Sequence, residues 1–145
     1  MRVFFLLFIL VHSTMSFSQP EKDRLAFVGT FTNAVQAHDG DKVISLLTES
    51  YVKTQLKEFL HNNKDQFLDE LFGGMIEGTE EWMNLEFYAI DSIEFVEFKE
   101  TGGATWDVTF RIKTGSITVL SELTLIATKK KKKGKYTYGF EGAVG

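Results

Sequence analysis

The chain contains no cysteine. That absence excludes disulfides, thiolate nucleophiles and cysteine-ligated metals, together with the lipoprotein-type anchor, which is built on a cysteine at the cleavage point. Histidine is scarce too: His12, His38 and His61 are the full set, and no HExxH pair occurs, so a zinc centre is not expected. There is no phosphate-cradling glycine loop and no GxSxG elbow; Gly73-Gly74 and Gly102-Gly103 read as turns. Asp39-Gly40-Asp41 lacks the sixth-position glycine and the third ligand of a calcium loop, which leaves helix capping as its use. Neither metal nor cofactor is expected. Long apolar runs are also missing, since Val3 to Val11 spans nine residues where a bilayer needs about 20.

What that short run does resemble is the core of a secretory signal peptide. Arg2 precedes it and small residues follow, with Ser16 and Ser18 two apart. Cleavage after Ser18 is expected, leaving Gln19 first, with cleavage after Ser16 as the alternative. A periplasmic or secreted protein without a stable membrane anchor follows from this reading. Residues 19–145 then form a single α+β domain of 145 − 18 = 127 residues. A domain of that size buries roughly two thirds of its unfolded surface, enough to stand without disulfides. Ten phenylalanines and two tryptophans lie beyond Ser18, which excludes disorder.

Basic residues are few in the body and crowded at one point. Residues 19–128 carry 9 basic and 19 acidic side chains, net −10, whereas 129–145 carry 6 and 1, net +5. The basic cluster is Lys129, Lys130, Lys131, Lys132, Lys133 and Lys135, set between two strand-like stretches with Gly134 beside them, the pattern of a polar hairpin tip. At about 1 kcal/mol per lysine near an anionic surface, the attraction is capped at roughly 6 kcal/mol, a dissociation constant of order tens of micromolar. Nucleic-acid binding would also need aromatics on the outer face beside the charge. Tyr136, Tyr138 and Phe140 alternate as an inward face does, so no nucleic acid is expected. A solvated turn that discourages strand pairing accounts for the lysines.

Helices come first along the chain. Leu25, Val28, Phe31 and Val35 recur at the spacing of one buried helical face, with Phe27 and Ala34 flanking. Gly40 is expected to end this helix in the left-handed conformation and Asp41 to cap a second short one burying Val43, Ile44, Leu46 and Leu47. Apolar spacing resumes through Tyr51, Val52, Leu56, Phe59 and Leu60. Asn63 and Gln66 fit a capping box ahead of Phe67, Leu68, Leu71 and Phe72. Met75 to Asn84 receives no assignment. Beyond Leu85 the period becomes twofold, most clearly over Ala104–Lys113. Ile90–Lys99 is strand-like with a slip of phase between Phe95 and Val96, the mark of a bulge. Ile117–Thr128 is apolar on both faces, and Lys135–Glu141 is the last strand. The expected fold is N-terminal helices packed on a strongly bent antiparallel sheet of about four strands.

The stretch FTNAVQAHDGDKVISLLTESYV followed by antiparallel strands resembles the nuclear transport factor 2-like superfamily, a cystatin-like cone, in the form of small secreted bacterial members of unknown function. The resemblance covers most of residues 22–141 in order of elements and rests on Gly40-Asp41 between two apolar helices. It implies a pocket between sheet and helices, frequent homodimerisation through the sheet, and roles ranging from isomerase or dehydratase to binding domain.

On this basis the expected function is a non-catalytic binding or accessory domain holding a small apolar ligand against Trp106, Val108, Phe110 and Leu123. Family enzymes place an acid, or an acid with a histidine, inside the cone, and no such pair carries over to this chain. An acid–base enzyme of the same fold, using Glu122 or Asp107, is the first alternative; Glu122 stands in a mostly apolar strand, where desolvation would raise its pKa. An interaction module using the Lys129–Lys135 hairpin is the second. His38 and His61 stand near helix ends and read as caps.

Overall fold

Helix α1 (Gln19–Gln36) starts where Ser18 offers its backbone N–H to the Glu21 carboxylate at 2.9 Å. Pro20 sits in the first turn, where no amide is needed. Its buried stripe is Val28, Phe31, Ala34 and Val35. The left-handed residue beyond it is His38, at φ 52°, not Gly40. Gly40 instead opens α2 (Gly40–Ser45), and Asp39 rather than Asp41 is the cap, accepting from the Lys42 N–H at 3.0 Å. The reason is packing: a Cβ on Gly40 would lie 2.6 Å from Leu68 Cδ1. Asp41 faces out and pairs with Lys64 at 2.6 Å.

Helix α3 (Glu49–Tyr51) runs without a break into a π-helical segment, Val52–Phe59, closed by the Leu60 N–H on the Gln55 carbonyl. Bonds reaching five residues back break the three-to-four spacing read from the sequence. Leu56 is buried as expected, but Phe59 is turned outward, 68% exposed. His61 and Asn62, at φ 48° and 65°, turn the chain into α4 (Lys64–Leu71). Half of the expected capping box forms there. The Asn63 side chain accepts from the Gln66 N–H at 3.2 Å, while the Asn63 N–H bonds to Leu60.

The computed structural model describes residues 18–129 and 135–142, and among these the helices precede one six-stranded antiparallel sheet. Its strands are β1 (Gly73–Ile76), β2 (Trp82–Asn84), β3 (Ser92–Gly102), β4 (Thr105–Thr114), β5 (Ile117–Lys129) and β6 (Tyr136–Glu141). The order is β2-β1-β5-β4-β3, with β6 also on β5. Two strands more than expected arise from the unassigned region: β1 and β2 form a hairpin over Gly73–Asn84. Gly73-Gly74 therefore opens a strand instead of making a turn. Gly74 lies opposite Ser121, so close to Leu120 that a Cβ would overlap the Leu120 carbonyl. β5 carries β1 at Val119–Ser121 and β6 at Thr124–Lys129 on one edge, with β4 along the other.

The expected bulge is present in β3, where the register shifts between Phe95 and Glu97, with a second shift between Glu100 and Gly102. Helix α1 fills the sheet's inner face. Phe31, wholly buried, has its ring 4.4 Å from Phe140 and 5.6 Å from Phe110. The last strand is held on its far side too: Phe140 N–H donates to Leu46 at 3.0 Å and its carbonyl accepts from Thr48 at 2.9 Å. No helix among the described residues is long and apolar enough to cross a membrane.

Candidate functional site

The bulge in β3 positions the site. In a regular strand Phe95 and Phe98, three apart, would face opposite sides. With the extra residue at Val96, Phe95 pairs with Phe110 and Phe98 with Val108, so both rings face inward, 4.7 Å apart. Trp106 follows on β4, opposite Glu100. Facing these rings across the mouth of the sheet are Glu21, Arg24 and Leu25 from the first two turns of α1, and together they line a cleft of about 390 Å³. Leu25, Phe95, Phe98 and Trp106 are each only partly buried.

Arg24 is the unusual member. Its spacing to Val28, Phe31 and Val35 puts a guanidinium at the start of the apolar stripe. The guanidinium carbon stands 4.4 Å from the centre of the Trp106 ring and 5.5 Å from that of Phe98, a cation–π arrangement. Its Nε is fully covered and has no hydrogen-bond partner among the described residues. No carboxylate lies within ion-pair distance of it among the described residues. Arg24 and Trp106 also line a second cleft, of about 210 Å³, with Pro20, Gly103, Ala104, Ala127, Tyr136 and Tyr138. That cleft adjoins a wider groove along α1, where Phe27 and Ala26 meet Tyr136, Tyr138 and Lys135. Burial raises the Tyr138 phenol, while the positive charge of Arg24 pulls it back down.

Of the four residues expected to line a pocket, the structure brings only Trp106 to these clefts. Val108, Phe110 and Leu123 are 0%, 0% and 1% exposed, packed into the core beneath. The interior that an empty cone would offer is filled by Phe31, Phe72, Phe110 and Phe140. The sequence reading missed Arg24, Phe95, Phe98 and Leu25 as a group. Two signals could have found them: a charge at a stripe position and a phase slip that places two phenylalanines on one face.

Asp107 and Glu122 lie on the opposite, outer face of the sheet, diagonal to each other across β4 and β5. Glu122 is exposed, yet its carboxyl is raised, by desolvation first and then by the charge of Asp107; Lys99 pulls it back and Glu97 pushes it further up. Thr124 donates a long 3.5 Å bond to Asp107. An acid–base centre between sheet and helices needs an acid on the inner face, and these two are not there.

The remaining candidates lie apart. Lys130, Lys131, Lys132 and Lys133 are outside the described residues; Lys129 contributes its backbone to β5 and Lys135 is exposed. His38 bonds through Nε2 to the Ile90 carbonyl at 2.8 Å. It joins Asp39, Gly40, Asp41, Lys64 and Tyr88 around a polar hollow of about 340 Å³, where Asp39 is used as a cap and Asp41 as an ion-pair partner. No cluster of three or more histidines and carboxylates able to hold a metal occurs among the described residues. No family model, curated protein or solved structure matches this chain.

Proposed function

We propose that this is a periplasmic or secreted, non-catalytic binding or accessory domain that holds a small apolar ligand at the mouth of its sheet, and that it belongs with the nuclear transport factor 2-like cones. The observation that carries the binding role is the half-buried set Leu25, Phe95, Phe98 and Trp106 around a cleft of about 390 Å³, beside an interior already filled. Ligand sites are concave, mostly apolar and about 300–1,000 Å³ in volume. The order of helices followed by antiparallel strands is what supports the cone kinship.

Trp106 is its own reporter once the other tryptophan is removed, and Trp82 is 56% exposed on β2, at the opposite end of the strand order from β3. In a Trp82→Phe background, titration with an apolar probe such as octanol is expected to shift and quench Trp106 emission saturably. Trp106→Ala should weaken binding of the same probe, followed calorimetrically in the otherwise unaltered chain, at least tenfold. Unchanged Trp106 emission at all probe concentrations would reject the assignment. Native mass spectrometry reports retained ligand and subunit number together. Dimerisation through the outer sheet face belongs to the same proposal: Trp82, Met75 and Leu120 form one apolar row across β2, β1 and β5, and the first two are exposed.

A further inference from the structure

We infer that the ligand of this mouth carries an anionic group, a carboxylate on an apolar body, and that Arg24 receives it. The inference rests on the binding role proposed above and specifies what is bound. A guanidinium presents five donors in a rigid fork matched to a carboxylate. Here the guanidinium carbon is held 4.4 Å from the Trp106 ring centre and 5.5 Å from that of Phe98 before any ligand arrives. Yet Arg24 donates no hydrogen bond to a described residue, and its Nε is sealed from water without a partner. Arg24 as a whole is only half-buried, so its Nη N–H groups, bonded to no described residue, stay within reach of an arriving acceptor, whose charge also offsets the cost of the desolvated Nε.

The surroundings decide the side from which the anion comes. In the cleft with Phe95 and Phe98, Glu21 and Glu100 share the lining with Arg24. In the cleft with Ala104, Ala127, Tyr136 and Tyr138, Arg24 is the one charged lining residue among those described. A carboxylate therefore docks on Arg24 from the tyrosine side, with its apolar body against Trp106, the ring shared with the cleft of Leu25, Phe95 and Phe98.

The test compares three probes of equal chain length, octanoate, octanol and octylammonium, by calorimetry on the full domain and on Arg24→Gln. Octanoate is expected to bind about tenfold or more tightly than octanol, the discrimination a charged hydrogen bond supplies. Arg24→Gln should erase that preference, bringing the ratio of octanoate to octanol affinity to about one. Equal binding of octanoate and octanol to the unaltered domain overturns the inference and leaves the apolar site standing. Stronger binding of octylammonium overturns it in favour of Glu21 and Glu100. Retained octanoate preference in Arg24→Gln overturns the role of Arg24, and failure of all three probes removes site and inference together. Should Arg24→Gln not fold, Arg24→Lys serves: it keeps the charge and loses the planar fork, so the octanoate preference should fall at least severalfold, and an undiminished preference counts against the inference.

Discussion

Two side chains on β5 sit in environments that their neighbours on the strand do not share, and each makes a prediction. Ser121 is 1% exposed among Val119 and Leu123, and its Oγ has no hydrogen-bond partner among the described residues. A hydroxyl in that position lowers stability, so Ser121→Ala should raise stability by about 1 kcal/mol in urea denaturation. Glu122, the next residue, faces the other way. Its carboxyl holds a proton more tightly in the folded chain than in the unfolded one. Below the ordinary glutamate range both states are protonated and the residue is neutral in effect. As pH rises through the unfolded and then the raised folded value, the folded state loses stability that a glutamine would keep. Glu122→Gln should therefore increase the melting temperature at pH 7 and change nothing in strong acid. Because the group is exposed, the gain should stay under about 1 kcal/mol. The sequence marks Glu122 as an oddity in an apolar strand. It does not say which face is wet, because Leu120 and Ile126 make the outer face look covered as well.

Glycines separate the elements that the sequence shows from those it hides. Gly29 lies inside α1 with open space where a side chain would go, so Gly29→Ala should stabilise by about 0.5–1 kcal/mol. Gly74 allows β1 to approach the Leu120 backbone. Gly74→Ala should prise β1 from β5 and lose several times the roughly 1 kcal/mol typical of point substitutions; loss of amide protection on hydrogen exchange at Glu77, whose N–H donates to the Thr118 carbonyl of β5 at 2.8 Å, would locate the damage. Helix α1, β4 and β5 were legible because each has a sustained period: Trp106, Val108, Phe110 and Ile112 alternate without a break. The β1–β2 hairpin was not, because its strands are four and three residues long and its defining contact is an absent side chain. The π-helical segment was equally hidden. Val52, Leu56 and Phe59 fit an ordinary helix by spacing, and a change in backbone bonding turns Phe59 to solvent. The bulge in β3 was visible as a slip of phase, but its consequence for Phe98 depends on the partner strand.

At the scale of the molecule, the aromatic stack across α1 and the sheet is the centre of the fold. Phe31 touches Phe72, Phe110 and Phe140, so Phe31→Ala should destabilise by about 3–5 kcal/mol, read as a lower urea midpoint with the cooperativity of unfolding retained. The same substitution should not alter the ratio of octanoate to octanol affinity, since that ratio belongs to Arg24 at the rim.

Phe140 is gripped from two directions, by Leu125 on β5 and by Leu46 and Thr48 ahead of α3. Those partners are separated by most of the domain, so the barrel of contacts around Phe31 has no lid until Tyr136–Glu141 arrives. Until that strand docks, Phe27, Phe31 and Phe110 lack the Phe140 ring they pack against, leaving apolar surface of the kind holdase chaperones bind. Closure of the core thus waits on the docking of one short strand.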